Sequence, residues 1–177
     1  MKYHLKQENL DFSKLKYLIE YTTYYDQYLD SNRTHNIKKA CQELNGLVIR
    51  GGETISFLGV VYNPEITGYK DAPIFVDGTK ENPETGEKWR ADGGGICQVS
   101  STFHAVMLRI EKIEVVERYP HSIEVGYMKP GDKDKDATVY WPWSDLRIRN
   151  PYSVEIFVQA SGENGCVKIT LYTVDNE

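Results

Sequence analysis

Cys97 follows the run Gly93-Gly94-Gly95-Ile96 and precedes Gln98-Val99-Ser100-Ser101-Thr102. Cysteine is a nucleophile only as its thiolate, and its surroundings decide how much thiolate there is. Residues 97–111 place Val99, Phe103, Val106, Met107 and Ile110 on one helical face, which predicts a helix starting at the cysteine. The first amides of a helix have no internal partner and carry partial positive charge. They favour a thiolate beside them, and they can also receive the negative oxygen of a tetrahedral intermediate. Glycines tolerate backbone angles closed to other residues and let a ligand approach the main chain. Gly93, Gly94 and Gly95 are therefore expected to shape an oxyanion pocket beside an activated Cys97. Cys97, Ser101 and His104 fall opposite the apolar stripe at about 100° per residue, so Cys97 is read as a chemical group rather than core filler.

A thiolate catalyst needs a base. His104 shares the face with Cys97 but lies two turns along, about 10 Å by helix rise, whereas a direct hydrogen bond needs roughly 3 Å. His35 sits near the start of another expected helix and is expected to be exposed. His121 follows Glu117-Arg118-Tyr119-Pro120 and opens a strand-like run. A histidine beyond a proline bend can point across at a helix start, so His121 is the expected base. Papain-like thiol enzymes use the same order, cysteine, helix, then histidine on a strand. A third group should orient the imidazole. Asp136, Asp145 and Glu124 are candidates by type, and a backbone carbonyl would also serve.

Several elements are expected to hold these residues. Ile37, Ala40, Cys41 and Leu44 form one buried stripe, predicting a helix over 33–45, with Ser31 or Thr34 as cap and Asn45-Gly46 as stop. Leu15, Leu18 and Ile19 have helical spacing, so residues 10–30 are expected to form an N-terminal helix. Short apolar runs at 46–78 predict strands and loops. The polar stretch 77–95 predicts a surface hairpin or a lid. Strand-like runs occupy most of the chain from Lys112 onward, with clear alternation near both 153–160 and 165–174. The fold class is therefore α+β: an antiparallel sheet, an inserted helix starting at the cysteine, and a helical N-terminal segment. Residues 1–32 are expected to be a helical lead-in and 33–177 the catalytic domain. Cys41 and Cys166 are assigned to packing.

The 177 residues suit one domain of ordinary size, with or without an appendage. Net charge is −5, from 21 basic and 26 acidic side chains, which argues against a nucleic-acid partner. Three cysteines with no CxxC pair make neither a disulfide framework nor a structural zinc site. "GDKDKDA" lacks the glycine and distal glutamate of a calcium loop and reads as a solvated turn. No apolar run is long enough to span a membrane, and the polar start "MKYHLKQENL" has no signal-peptide pattern. The chain is thus expected either to remain where it is made or to be a piece of something larger. Thirteen tyrosines and three tryptophans suit β-structure, and also a surface that grips sugar or peptide.

The blocks "NIKKACQELNGLVIRGGETISF", "GYKDAPIFVDG", "GGGICQVSST", "EVVERYPHSIEVGYMKPGDKDKDATVYW" and "DLRIRN" together resemble the VanW-like family, from about Arg33 to Leu171. The resemblance implies a domain of bacterial, mostly Gram-positive, surface proteins and of glycopeptide-resistance clusters. It therefore implies an extracytoplasmic, cell-wall location. It implies peptidoglycan L,D-transpeptidation through a cysteine, with Cys97 as nucleophile and His121 as its partner. Gly93 to Gln98 and Ser100, Ser101 and Thr102 would frame the pocket. The implied partners are peptidoglycan stem peptides, with 3-3 crosslinks as product and no metal or organic cofactor required. A cysteine L,D-carboxypeptidase would use the same acyl-enzyme. A non-catalytic wall-binding module, gripping ligand through Tyr140, Trp141 and Trp143, is the alternative from another class. The chain departs from the family where "GGETISF" replaces the usual "PGE" before its strand. It also places Glu65 in "YNPEITGY" where the family carries an arginine, and its loop before the glycines is longer.

Overall fold

The computed structural model describes residues 4–74 and 83–174. In chain order the strands and α-helices are β1 (Leu5–Lys6), β2 (Lys16–Tyr24), α1 (Ser31–Leu44), β3 (Leu47–Ile49), β4 (Thr54–Ser56), α2 (Phe57–Val61) and β5 (Asp71–Pro73). There follow β6 (Arg90–Asp92), α3 (Ile96–Met107), β7 (Glu114–Glu117), β8 (Arg147–Arg149), β9 (Ile156–Ser161) and β10 (Cys166–Thr173). The architecture is mixed helix and sheet. A five-stranded antiparallel sheet runs β1-β3-β9-β10-β2, with a smaller antiparallel sheet β4-β8-β7 and a two-stranded pair β5-β6 beside it.

The N-terminal segment is the main correction to the expected fold. Residues 16–24 form a strand rather than a helix, paired antiparallel with β10 from Tyr24↔Cys166 to Lys16↔Thr173. The helical spacing of Leu15, Leu18 and Ile19 misleads here. The run Tyr17-Leu18-Ile19-Glu20-Tyr21-Thr22-Thr23-Tyr24 is aromatic and β-branched, a composition that fits a pleated, half-buried surface. β2 therefore belongs to the main sheet rather than to a separate lead-in.

Two further expectations change. "ISFLGVVY" divides into β4 and the short helix α2, whose start Ser56 caps by accepting from the Gly59 amide. "HSIEVGYM", expected as a strand, is irregular, and "DATVYW" makes only single bridges, Tyr119↔Thr138 and Tyr140↔Ser144. α1 lies where its stripe predicts, but Asp30 caps it rather than Ser31 or Thr34, accepting from the Arg33 amide. Asp30 is a good cap by the same logic, because a short side-chain oxygen can reach the second or third helical amide. The expected hairpin keeps its base, where Asp71↔Asp92 and Pro73↔Arg90 pair antiparallel. Residues 75–82 within it lie outside the described residues.

The core joins the helices to the main sheet. Ile37, Cys41 and Leu44 of α1, Val99, Phe103 and Val106 of α3, and Val167, Ile169 and Leu171 of β10 are all buried in one cluster. Cys41 is thus a packing residue, and burial pushes its thiol up to about 12. α3 packs on β2 and β10. Buried polar bonds fix its register there: Thr102 meets Thr23 at 2.8 Å, and the Gln98 amide donates to Thr23 Oγ1 at 3.1 Å and to the Tyr24 carbonyl at 3.0 Å. Phe103 sets the second contact of α3, its ring 6.0 Å from that of Phe57 on α2. Phe103→Ala is expected to cost about 3–5 kcal/mol, since both rings are fully buried and the site can collapse only partly. A lower urea midpoint with an unchanged denaturant slope checks this.

Candidate active site

α3 begins at Ile96, one residue ahead of Cys97, and Gly95 is its N-cap. Two of the three glycines are required for different reasons. Gly95 has φ +111°, a conformation L side chains rarely adopt. Gly94 presses on the neighbouring hairpin, where an added Cβ would lie 2.4 Å from the Ala72 carbonyl oxygen. The glycines thus seat the helix start against β5 as well as bending the chain. The Ile96 amide donates to Gly93 O at 3.0 Å and the Gln98 amide to Gly95 O at 3.1 Å. The Cys97 amide donates to no backbone carbonyl among the described residues, leaving it available at the mouth of the helix.

Cys97 is half-buried and opens into a cleft of about 870 Å³. Its sulfur lies along the backbone of Thr138 and Val139. The Val139 amide is 3.5 Å away as a donor, the Val139 carbonyl 3.4 Å away as an acceptor for the thiol, and the Thr138 hydroxyl 3.6 Å away. The imidazole of His121 lines the same cleft and lies close enough to the sulfur for each to shift the other's pKa. On its other side, His121 Nδ1 meets Asp136 Oδ2 at 2.5 Å, and the His121 amide donates to that same oxygen at 2.7 Å. A proton on Nδ1 facing the carboxylate leaves Nε2 for the sulfur. Asp136 is 5% exposed and is held in turn by Arg118, which donates to Oδ1 at 2.7 Å and to the Asp136 carbonyl at 2.7 Å.

Local chain geometry explains how a helix, a loop and a turn converge. The Thr138 amide donates to Tyr119 O at 2.8 Å, running residues 118–121 antiparallel to 136–138 and bringing His121 to Asp136. That segment is fastened to α3 by two adjacent serines. Ser101 Oγ accepts from the Ala137 amide at 2.9 Å, and Ser100 Oγ donates to the Ala137 carbonyl at 2.5 Å. Ser100 and Ser101 therefore do not line the cleft, contrary to expectation. They are fully buried between α3 and residues 136–139, and they set the distance from Cys97 to its partners. Thr102 points the opposite way, onto β2. Gln98 reaches the cleft wall while its amide group is anchored in the core.

Other expected residues have different tasks. Asp145 does not reach the imidazole. Its carboxylate takes the Leu58 amide at 2.9 Å and the Ser56 hydroxyl, holding the start of α2. Glu124 lies at the cleft edge, ion-paired to Lys133. His104 bonds the Lys135 carbonyl at 2.8 Å, and burial pulls its pKa below the ordinary value. His35 bonds the Gly68 carbonyl at 2.7 Å on the surface. Glu65 is exposed and stands apart from the cleft. Arg118 went unremarked in the sequence, although its place three residues before His121 is a usable signal. Arg33, from the first turn of α1, also lines the cleft.

The two reactive groups influence each other. Burial disfavours a charged sulfur, but the hydrogen bond from His121, the Val139 amide and the imidazolium charge outweigh it and lower the Cys97 pKa. Burial likewise disfavours imidazolium, yet the Cys97 and Asp136 partners raise His121 above its ordinary value. Both shifts run in the direction that favours thiolate and imidazolium. A nucleophile, a base and an orienting acid in one cleft can carry out acyl transfer.

The family profile described as VanW like protein matches residues 32–172. This chain belongs to the VanW-like family. It is 38% identical over 157 residues to the uncharacterized protein YoaR of Bacillus subtilis, covering 88% of this chain and 48% of that one. It is 33% identical over 135 residues to the vancomycin B-type resistance protein VanW of Enterococcus faecalis, covering 75% of this chain and 46% of that one. The chain thus spans about half the length of these curated relatives. No solved structure matches it. Among the described residues, no helix is long and apolar enough to cross a membrane.

The shifted pKa pair has a direct readout. Alkylation of Cys97 by iodoacetamide is expected to persist to lower pH than that of a free thiol, because its pKa lies below the ordinary thiol value. His121→Ala removes the groups' mutual support and leaves burial dominant, so the midpoint should move above that value. Rates measured from pH 5 to 10, with peptide mapping of the modified sulfur, check both directions.

Proposed function

We propose that this VanW-like domain is a cysteine acyltransferase of peptidoglycan, an L,D-transpeptidase that joins stem peptides through 3-3 crosslinks. The observation that carries the reading is the meeting of Cys97 and His121, the latter oriented by Asp136, in one cleft of about 870 Å³. The reading of stem peptides as substrate rests on the family and on a relative named for vancomycin resistance.

The Cys97 thiolate attacks the carbonyl carbon of the donor's diamino-acid residue. A carbon–sulfur bond forms, and the oxygen becomes an anion received at the start of α3, where the Cys97 amide has no backbone partner among the described residues. The intermediate collapses, the carbon–nitrogen bond breaks, and imidazolium gives its proton to the departing D-alanine amine. An amine of a second stem then attacks the thioester, His121 takes its proton, and the thiolate returns. If water enters instead, the same acyl-enzyme yields a carboxypeptidase product.

A binding role is the competing reading, favoured by Tyr140 at the cleft rim, 64% exposed, and Trp143, 75% exposed. Incubation with disaccharide-tetrapeptide and mass spectrometry separates the two. The wild type is expected to release D-alanine and form crosslinked dimer, and Cys97→Ala should form neither while remaining folded. Product from a folded Cys97→Ala protein removes the acyl-enzyme reading. No product from the wild type, with retention on sacculi, favours binding instead. Asp136→Asn is expected to lower kcat on the order of 10²–10⁴-fold with little change in KM, by losing the imidazole's orientation and charge support.

A further inference from the structure

The guanidinium of Arg33 has no part in the chemistry described so far, yet it lines the same cleft as Cys97 and His121. Arg33 is 5% exposed. Its stem passes beneath the helix start, with its Cγ 3.2 Å from where a Cβ on Gly95 would lie. Its two terminal nitrogens meet only neutral acceptors. One donates to Gln98 Oε1 at 3.1 Å, and the other reaches the Pro73 carbonyl at 3.5 Å, the limit of a hydrogen bond. Gln98 cannot turn away, because Thr23 and the Tyr24 carbonyl hold its amide. No carboxylate forms an ion pair with Arg33 among the described residues. The Cys97 sulfur is within electrostatic reach, and so is Asp30, whose carboxylate is occupied by the Arg33 backbone amide at 2.8 Å and by Arg90 at 3.3 Å.

A buried guanidinium with no carboxylate bonded to it is costly, and a ligand carboxylate would complete it. Guanidinium presents a planar fork that matches a carboxylate. We propose that Arg33 receives a free carboxylate of the substrate, beside the carbonyl that Cys97 attacks. This rests on the reading of Cys97 as nucleophile and adds which bond it reaches. The terminal carboxylate of a peptide lies next to the scissile carbonyl when the departing residue is the last one. Arg33 therefore makes the site one for chain ends, and an amidated terminus, lacking the charge, fits poorly.

Two alkylating agents of similar size test this without any peptidoglycan. Iodoacetate carries a carboxylate and iodoacetamide does not. Relative to free cysteine, Cys97 is expected to favour iodoacetate over iodoacetamide by about tenfold or more, within the range of electrostatic steering. The His121 imidazolium adds to that preference, so Arg33→Gln isolates the guanidinium: the ratio should fall several-fold. N-acetyl-D-alanine should also protect wild-type Cys97 from iodoacetamide at concentrations where N-acetyl-D-alaninamide does not. That second measurement needs no variant and decides the matter if Arg33→Gln does not fold. Equal protection by acid and amide, or a ratio retained in folded Arg33→Gln, overturns the proposal. A carboxylate preference without product from stem peptides would sink the transpeptidase reading alone. Product with no preference would sink the Arg33 role alone.

Discussion

Burial alone would push the Cys97 thiol up, and the rest of the site opposes that single tendency. The opposition comes mainly from the neighbouring imidazole, which faces the same burial problem with the opposite sign. Each group favours the charged form of the other. Such a pair survives only where a third charge holds one partner still, and Asp136 does this with two contacts to His121 from one oxygen. Arg118 occupies the other oxygen, so the carboxylate cannot rotate away. The chain Arg118–Asp136–His121–Cys97 alternates in sign from end to end.

The fold serves that alignment. α3 is buried on nearly every side, unlike an ordinary surface helix with one wet face. Its stripe of Val99, Phe103 and Val106 enters the core, while Ser100 and Ser101 face a neighbouring segment that has no continuous ladder of its own. Irregular backbone can be buried only if its polar groups find partners. Here the serine hydroxyls supply them at Ala137, one residue from Asp136 and two from Val139. Two ordinary hydroxyls thereby place both the acid that orients the base and the backbone that cradles the sulfur. Substrate would meet neither serine, yet the distance between helix and loop depends on both.

The chemical residues were more legible in the sequence than the elements carrying them. A glycine run ahead of a cysteine and a helix is a local pattern, and so is a histidine after a proline bend; both can be read from neighbours alone. Choosing Asp136 over Asp145 could not be done that way. Both lie in similar surroundings along the chain, and only the bridge between Tyr119 and Thr138 brings one of them to the imidazole. Residues 16–24 failed for a related reason. Their apolar spacing satisfied a helix, and what decides for strand is the partner β10, nearly 150 residues away. Ser100 and Ser101 were noticed for the right neighbourhood, but their direction depends on a loop with no pattern of its own.

The same pair also explains how one histidine can serve two successive steps. Before reaction, the thiolate is among the groups that keep His121 protonated. In the proposed reaction, acylation would turn the thiolate into a neutral thioester, and the departing amine would take the proton. The largest support for imidazolium is then gone, while burial, the strongest influence against it, remains. His121 would then be left neutral and still fixed by Asp136. That is the state needed to accept a proton from an incoming amine. The exchange of roles requires no movement of the ring, only the loss of one charge beside it. An imidazole held charged by Asp136 alone could donate the first proton but would be a poor base for the second step, so the balance between burial and carboxylate matters as much as the contact itself.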